Sequence, residues 1–128
     1  MLDGKPTAVL LTRGDRYAAE LLEELRERTP GIRILCAGKL PSGTAEKLSL
    51  RDALAPAERR GRGNAYARGG WWLHDRILTD TTLTVIRADV FARRDLLDPR
   101  SGTPLPTYRR QRYTGGIGRY FPIFLYIK

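Results

Sequence analysis

One stretch of this chain carries a clean helical period, and the sequence beyond it is cut into short pieces. Residues 16–28 (RYAAELLEELRER) place Ala18, Leu21, Leu22 and Leu25 at helical spacing, with Glu20, Glu23, Glu24 and Glu27 largely opposite. Asp15 stands where its carboxylate can accept from the orphan amides of the first turn, and Thr29-Pro30-Gly31 closes the helix. Downstream, glycine and proline divide the sequence into short runs, several rich in aromatic and β-branched residues. The order is helix first, then mainly antiparallel strands. That predicts an α+β fold in which an N-terminal amphipathic helix packs on a mainly antiparallel β-sheet. The 128 residues suit a single domain, 1–128.

The shorter segments give more mixed signals. Residues 7–12 (TAVLLT) suit a strand or the first turns of a helix, since periodicity does not separate the two in so short a run. Residues 32–37 (IRILCA) read as a strand, 38–43 as a turn and 48–54 as a short helix. Residues 56–70 (PAERRGRGNAYARGG) hold four glycines and four arginines and read as a long flexible loop. Residues 71–78 (WWLHDRIL) and 83–91 (LTVIRADVF) flank a polar four-residue break and predict a β-hairpin. Residues 92–97 suggest a short helix ended before Pro99. Residues 107–113 and 119–127 read as strands, the second being either an edge or beginning after Pro122.

Charge is distributed unevenly. Residues 1–58 hold nine bases and nine acids, so residues 59–128 carry the whole net charge of +9. Nineteen of the 23 bases are arginine, whose planar fork suits carboxylates and phosphates. The C-terminal half is therefore expected to bind an anion, whether nucleic acid, an acidic small molecule or an acidic protein partner, unless its basic surface is merely solvated. No run is long enough to cross a membrane as a helix. A lone Cys36, a lone His74, no zinc-ligand cluster and no signal-peptide cleavage pattern suggest a reducing cytoplasm without a metal centre.

Two groups of residues suit binding chemistry. In an extended 71–78 segment, Trp72, His74 and Arg76 share a face. Arg76 could clamp a carboxylate, Trp72 could wall a ring and His74 could donate a proton, which suits a small aromatic acid. The ordinary alternative is a hairpin with its polar side toward water. Farther on, Tyr108, Tyr113, Tyr120 and Phe121 interleave with Arg109, Arg110, Arg112 and Arg119. Rings for stacking and arginines for phosphates form the pattern of single-strand nucleic-acid surfaces. Here the plain alternative is a half-buried strand whose arginine stems cover apolar surface. The same basic half would also suit a structural subunit docked in a larger assembly. The glycines at 115, 116 and 118 read as a turn, with an anion-binding nest as the other option.

The segment order resembles that of the chorismate pyruvate-lyase and UTRA-like group. The pieces that carry it are LLTRGDRYAAELLEEL (10–25), IRILCAG (32–38), WWLHDRILTD (71–80), TVIRADVF (84–91) and GIGRYF (116–121), about half of the chain. The resemblance implies a small α+β fold with an antiparallel sheet and a cofactor-independent lyase that removes pyruvate from chorismate to leave 4-hydroxybenzoate. It implies Arg76 as carboxylate clamp with a one-residue offset, His74 standing in direct register. The family's late glutamate has no counterpart, since no acid follows Asp98. This implies a ligand-binding or altered member.

Overall fold

The computed structural model describes residues 4–13 and 17–128. Within them, ten strands and three short to medium helices follow one another as β1 (Thr7–Thr12), α1 (Ala18–Arg28), β2 (Arg33–Gly38), α2 (Thr44–Leu48), β3 (Arg51–Asp52), α3 (Ala55–Arg59), β4 (Ala65–Ala67), β5 (Gly70–Trp72), β6 (Arg76–Thr79), β7 (Val85–Val90), β8 (Tyr108–Arg109), β9 (Arg112–Tyr113) and β10 (Ile123–Ile127). The architecture is α+β. Most strand pairs are antiparallel, but β1 and β2 run parallel with α1 between them, so the chain opens with a β-α-β unit. The main sheet has the order β1-β2-β6-β3. Among the described residues no helix is long and apolar enough to cross a membrane.

Strand alternation explains the layering. On β2, Ile34 and Cys36 join Leu78 of β6, Ala19 and Leu22 of α1, and Leu48 and Leu50 in one buried cluster. The residues between them face the other way. Leu35, Ala37 and Ile77 pack with Ala53, Leu54, Val85, Ala88, Ile123 and Leu125. The β7–β10 ribbon therefore covers the sheet face opposite α1 and α2.

Several expectations require correction. Asp15, expected as the helix cap, lies outside the described residues. Residues 48–54 are not a helix. The Ser49 backbone turns left-handed (φ 54°) and Leu50 N–H bonds Ala45 O, which ends α2 and lets β3 begin. Residues 56–70, expected as a loop, carry most of α3 and all of β4, and Ala57 and Asn64 are fully buried.

The hairpin expected from 71–78 and 83–91 does not form. The first run splits: β5 pairs with β4, whereas β6 pairs with β2 and β3. After β6, Asp80 makes a tight turn, its Oδ1 accepting from Thr82 N and its carbonyl from Leu83 N. This buries Leu83 and sends β7 to β10 in a separate layer. Residues 107–113 are not one strand but a tight hairpin, β8–β9. The short helix expected in 92–97 is a single 3-10 turn at Arg94–Leu96, and β10 begins directly after Pro122.

Candidate functional site

The split between β5 and β6 takes apart the face expected to carry Trp72, His74 and Arg76. Arg76 lies at the start of β6, where Nη1 donates to Asp52 Oδ2 at 2.8 Å and Nη2 donates to Glu58 Oε2 at 2.5 Å. The Glu58 hydrogen bond is the largest cause holding the guanidinium above its already high ordinary pKa. Partial burial opposes it, and Asp52 adds to the rise. Two carboxylates of the chain thus occupy the clamp. Trp72 lies in β5, its Nε1 donating to Ala67 O at 3.0 Å. His74 sits between the two strands and stacks on Tyr120, ring centroids 4.6 Å apart.

A residue the sequence reading missed organises this region. Asn64 is fully buried, and its amide Nδ2 donates to Asp75 Oδ2 (2.7 Å) and to Phe121 O (3.2 Å). Its Oδ1 accepts from His74 N at 2.7 Å. Its backbone N–H donates to Trp72 O, and its carbonyl accepts from Phe121 N. One side chain and its peptide groups thereby join β4, the β5–β6 link and residue 121. No local pattern marks it, because an asparagine beside a glycine reads as a turn residue.

The consequence is a ring-bearing platform with two faces, Tyr66 and Trp71 on one and Trp72 with Tyr120 on the other. Trp71 stacks on buried Phe121 at 5.7 Å and meets the edge of Tyr66 at 5.3 Å. An isolated bridge pairs Ala65 with Tyr120, which brings Tyr120 to the edge of the β4–β5 hairpin. Tyr66, Trp71, Trp72 and Tyr120 stay 39–58% exposed, so each presents ring surface to solvent.

The second hairpin repeats the theme. Tyr108 pairs with Tyr113 on one face, their rings 5.7 Å apart, and Arg109 pairs with Arg112 on the other. Arg110 and Gln111 form the two-residue turn. Arg109 donates to buried Asp98, and this bond is the main cause holding the Asp98 carboxyl below the usual range, with Arg100 N–H the next. Arg109 is thus an anchor. Among the described residues, by contrast, Arg110, Arg112 and Arg119 have no acidic partner, nor has Arg68 at the β4–β5 turn. Arg110, Arg112, Tyr113 and Thr114 border an open depression of about 480 Å³. The glycines at 115–118 serve packing at one point: a Cβ on Gly116 would lie 2.1 Å from Leu105 O.

A cavity of about 240 Å³ lies beside the platform, lined by residues 61–63, Trp71, Val90, Leu97 and Phe121 among others. At its border, Arg62 Nε donates to Asp89 Oδ1 at 3.1 Å, and Arg60 Nη2 lies 3.7 Å from Asp89 Oδ2. Two guanidinium groups therefore face one carboxylate. Nucleophile chemistry finds no support at Cys36: the thiol is buried and desolvation pushes its pKa up to about 11, so it stays protonated at neutral pH. Compared with models of protein families, with curated proteins and with solved structures, the chain matches none.

Proposed function

We propose that this chain binds single-stranded nucleic acid across the β4–β5 and β8–β9 hairpins. The observation that carries the reading is the pairing of exposed rings with arginines that have no acidic partner among the described residues. Tyr66 and Trp71 on one face of β4–β5, and Trp72 and Tyr120 on the other, lie on the hairpin that carries Arg68 at its turn and Arg119 next to Tyr120; in β8–β9, Tyr108 and Tyr113 share one face, with Arg110 at the turn and Arg112 on the opposite face. A base stacked on such a ring contributes about 1–3 kcal/mol, and the stacking tolerates any sequence. An acidic protein would also use the arginines, and competition by polyglutamate separates the two.

The test is fluorescence anisotropy of a labelled oligonucleotide over a series of salt concentrations. Four phosphate contacts give a log–log slope of about −3. Arg110→Ala combined with Arg112→Ala reduces its magnitude by about 1.4, and Trp72→Ala weakens binding at every salt. Absence of binding at low salt, or equal displacement by polyglutamate, overturns the reading.

The cavity beside Trp71 favours a second reading, a small aromatic carboxylate of the kind implied by the resemblance to chorismate pyruvate-lyases. It moves the clamp from Arg76 to Arg62, because Arg60 and Arg62 together exceed the charge of Asp89. Titration with 4-hydroxybenzoate at about 0.15 M salt should quench tryptophan fluorescence saturably, and Arg62→Ala should abolish the change. A flat titration at millimolar ligand removes this reading.

A further inference from the structure

We propose that β1 is the interface of a symmetric dimer, in which two copies pair their β1 strands antiparallel with Val9 on the twofold axis. Among the described residues, β1 has one neighbour in the main sheet, β2. Pro6 O accepts from Arg33 N and Thr12 O from Lys39 N, and both acceptor residues are even-numbered. In a parallel ladder the same parity continues, so residues 6, 8, 10 and 12 face β2 while Thr7, Val9 and Leu11 turn their N–H and C=O groups to the open edge. No charge, proline or bulge within Thr7–Thr12 guards that edge, although edges are usually guarded by one of these.

The side chains set what can cover it. Val9 is 60% and Leu11 78% exposed on one face of the sheet. On the other face, Leu10, Tyr17 and Leu21 help to line an open cavity of about 440 Å³. A strand that pairs with this edge is best matched when it is uncharged and apolar on both faces. TAVLLT, with Ala8 and Leu10 on one side and Val9 and Leu11 on the other, is such a strand. With Val9 on the axis, Thr7 meets Leu11 of the second copy and Val9 meets Val9. The three pairs so formed are of the hydrogen-bonded kind, each exchanging two bonds. Leu10 then lies across from Ala8 of the second copy, and Thr12 across from its Pro6, next to the cavity. Charge permits the arrangement: residues 1–58 are neutral, and β1 lies at the end of the sheet away from β6 and β3. Two symmetry-related like-charge pairs remain at the margins, Arg13 of each copy across from Lys5 of the other.

Sedimentation equilibrium of the full chain, from low-micromolar to sub-millimolar concentration, tests this. The native chain should dimerise. Leu11→Lys and Val9→Pro should both be monomeric with unchanged circular dichroism, since the Val9 N–H is not needed by β2. Lys5→Glu should tighten the dimer. A single spin label on Lys5→Cys should report a separation of about 27 Å, eight residues along the paired strands, and it decides the matter should a variant unfold. A chain monomeric throughout, a dimer that survives both edge variants, or a label separation far from that value overturns the proposal.

Discussion

In the β4–β5 hairpin the two turn residues are Arg68 and Gly69; in the β8–β9 hairpin they are Arg110 and Gln111, all four at positive φ. Both hairpins thus place an arginine at the tip and rings along the strands. They differ in how they are fastened. The first is built into the body: Asn64 bonds Asp75, Phe121 and His74, and Trp71 stacks on Phe121. The second has four strand residues that are all exposed. It is held by the Arg109–Asp98 ion pair and by Thr114, whose Oγ1 donates to Pro106 O and whose N–H donates to Thr107 O. A similar surface is held by a buried neutral amide in one case and by a charge pair in the other, so the two should respond to different perturbations.

The largest effect should come from the buried amide. Asn64→Ala removes the Nδ2 donor to the Phe121 carbonyl and to Asp75 Oδ2, and the Oδ1 acceptor of the His74 N–H. We expect a loss of about 3 kcal/mol in urea unfolding, with tryptophan emission shifted to the red. A loss below about 1 kcal/mol would mean that the platform rests on the Trp71–Phe121 stack instead.

A smaller effect separates the turns. Gln111 holds a left-handed conformation without being glycine, which costs on the order of 1 kcal/mol. Gln111→Gly should therefore stabilise the second hairpin by about that amount, and Gly69→Gln should destabilise the first by a similar amount. Amide hydrogen exchange at Tyr113 and Trp72 reads the two changes separately.

The smallest global effect should be the most local one. The Asp98 pKa is depressed in the folded chain, so its contribution is full above the unfolded value of about 3.9 and disappears as pH falls through the folded value. Acid should release β8–β9 while β4–β5 holds, giving a loss of the Tyr108–Tyr113 near-ultraviolet signal before any change at Trp71. Arg109→Ala should remove that acid step. Simultaneous loss of both signals in the native chain would show that the hairpins are not independent.

Parts of the fold were open to reading from residue order. The helical period of 18–28, the strand over 33–38 and the start of β10 after Pro122 are local properties, carried by neighbouring side chains. The exposure of Arg110, Arg112, Arg119, Tyr113 and Tyr120 was not decided by their mixed polarity, which suits a half-buried strand as well as an open surface. What escaped depends on distance along the chain. Arg76 is occupied by Asp52 and Glu58, 24 and 18 residues earlier, and no spacing rule joins them. The polar break after Thr79 suits a hairpin turn as well as it suits the layer crossing it makes, because the choice depends on where Leu83 finds burial. The two-residue turn at Arg110–Gln111 was hidden because neither residue favours a left-handed backbone.

The reach of Asn64 to Phe121 across 57 residues also orders events in time. The β1–α1–β2 unit can assemble from neighbouring sequence as it leaves the ribosome. Asn64 must wait about 60 residues for residues 120–127, some seconds at ordinary rates of synthesis. Through that interval the inward side of the β4–β5 rings is uncovered. The aromatic surface should therefore be the last part of the chain to mature and the part most dependent on a chaperone while the ribosome is still at work.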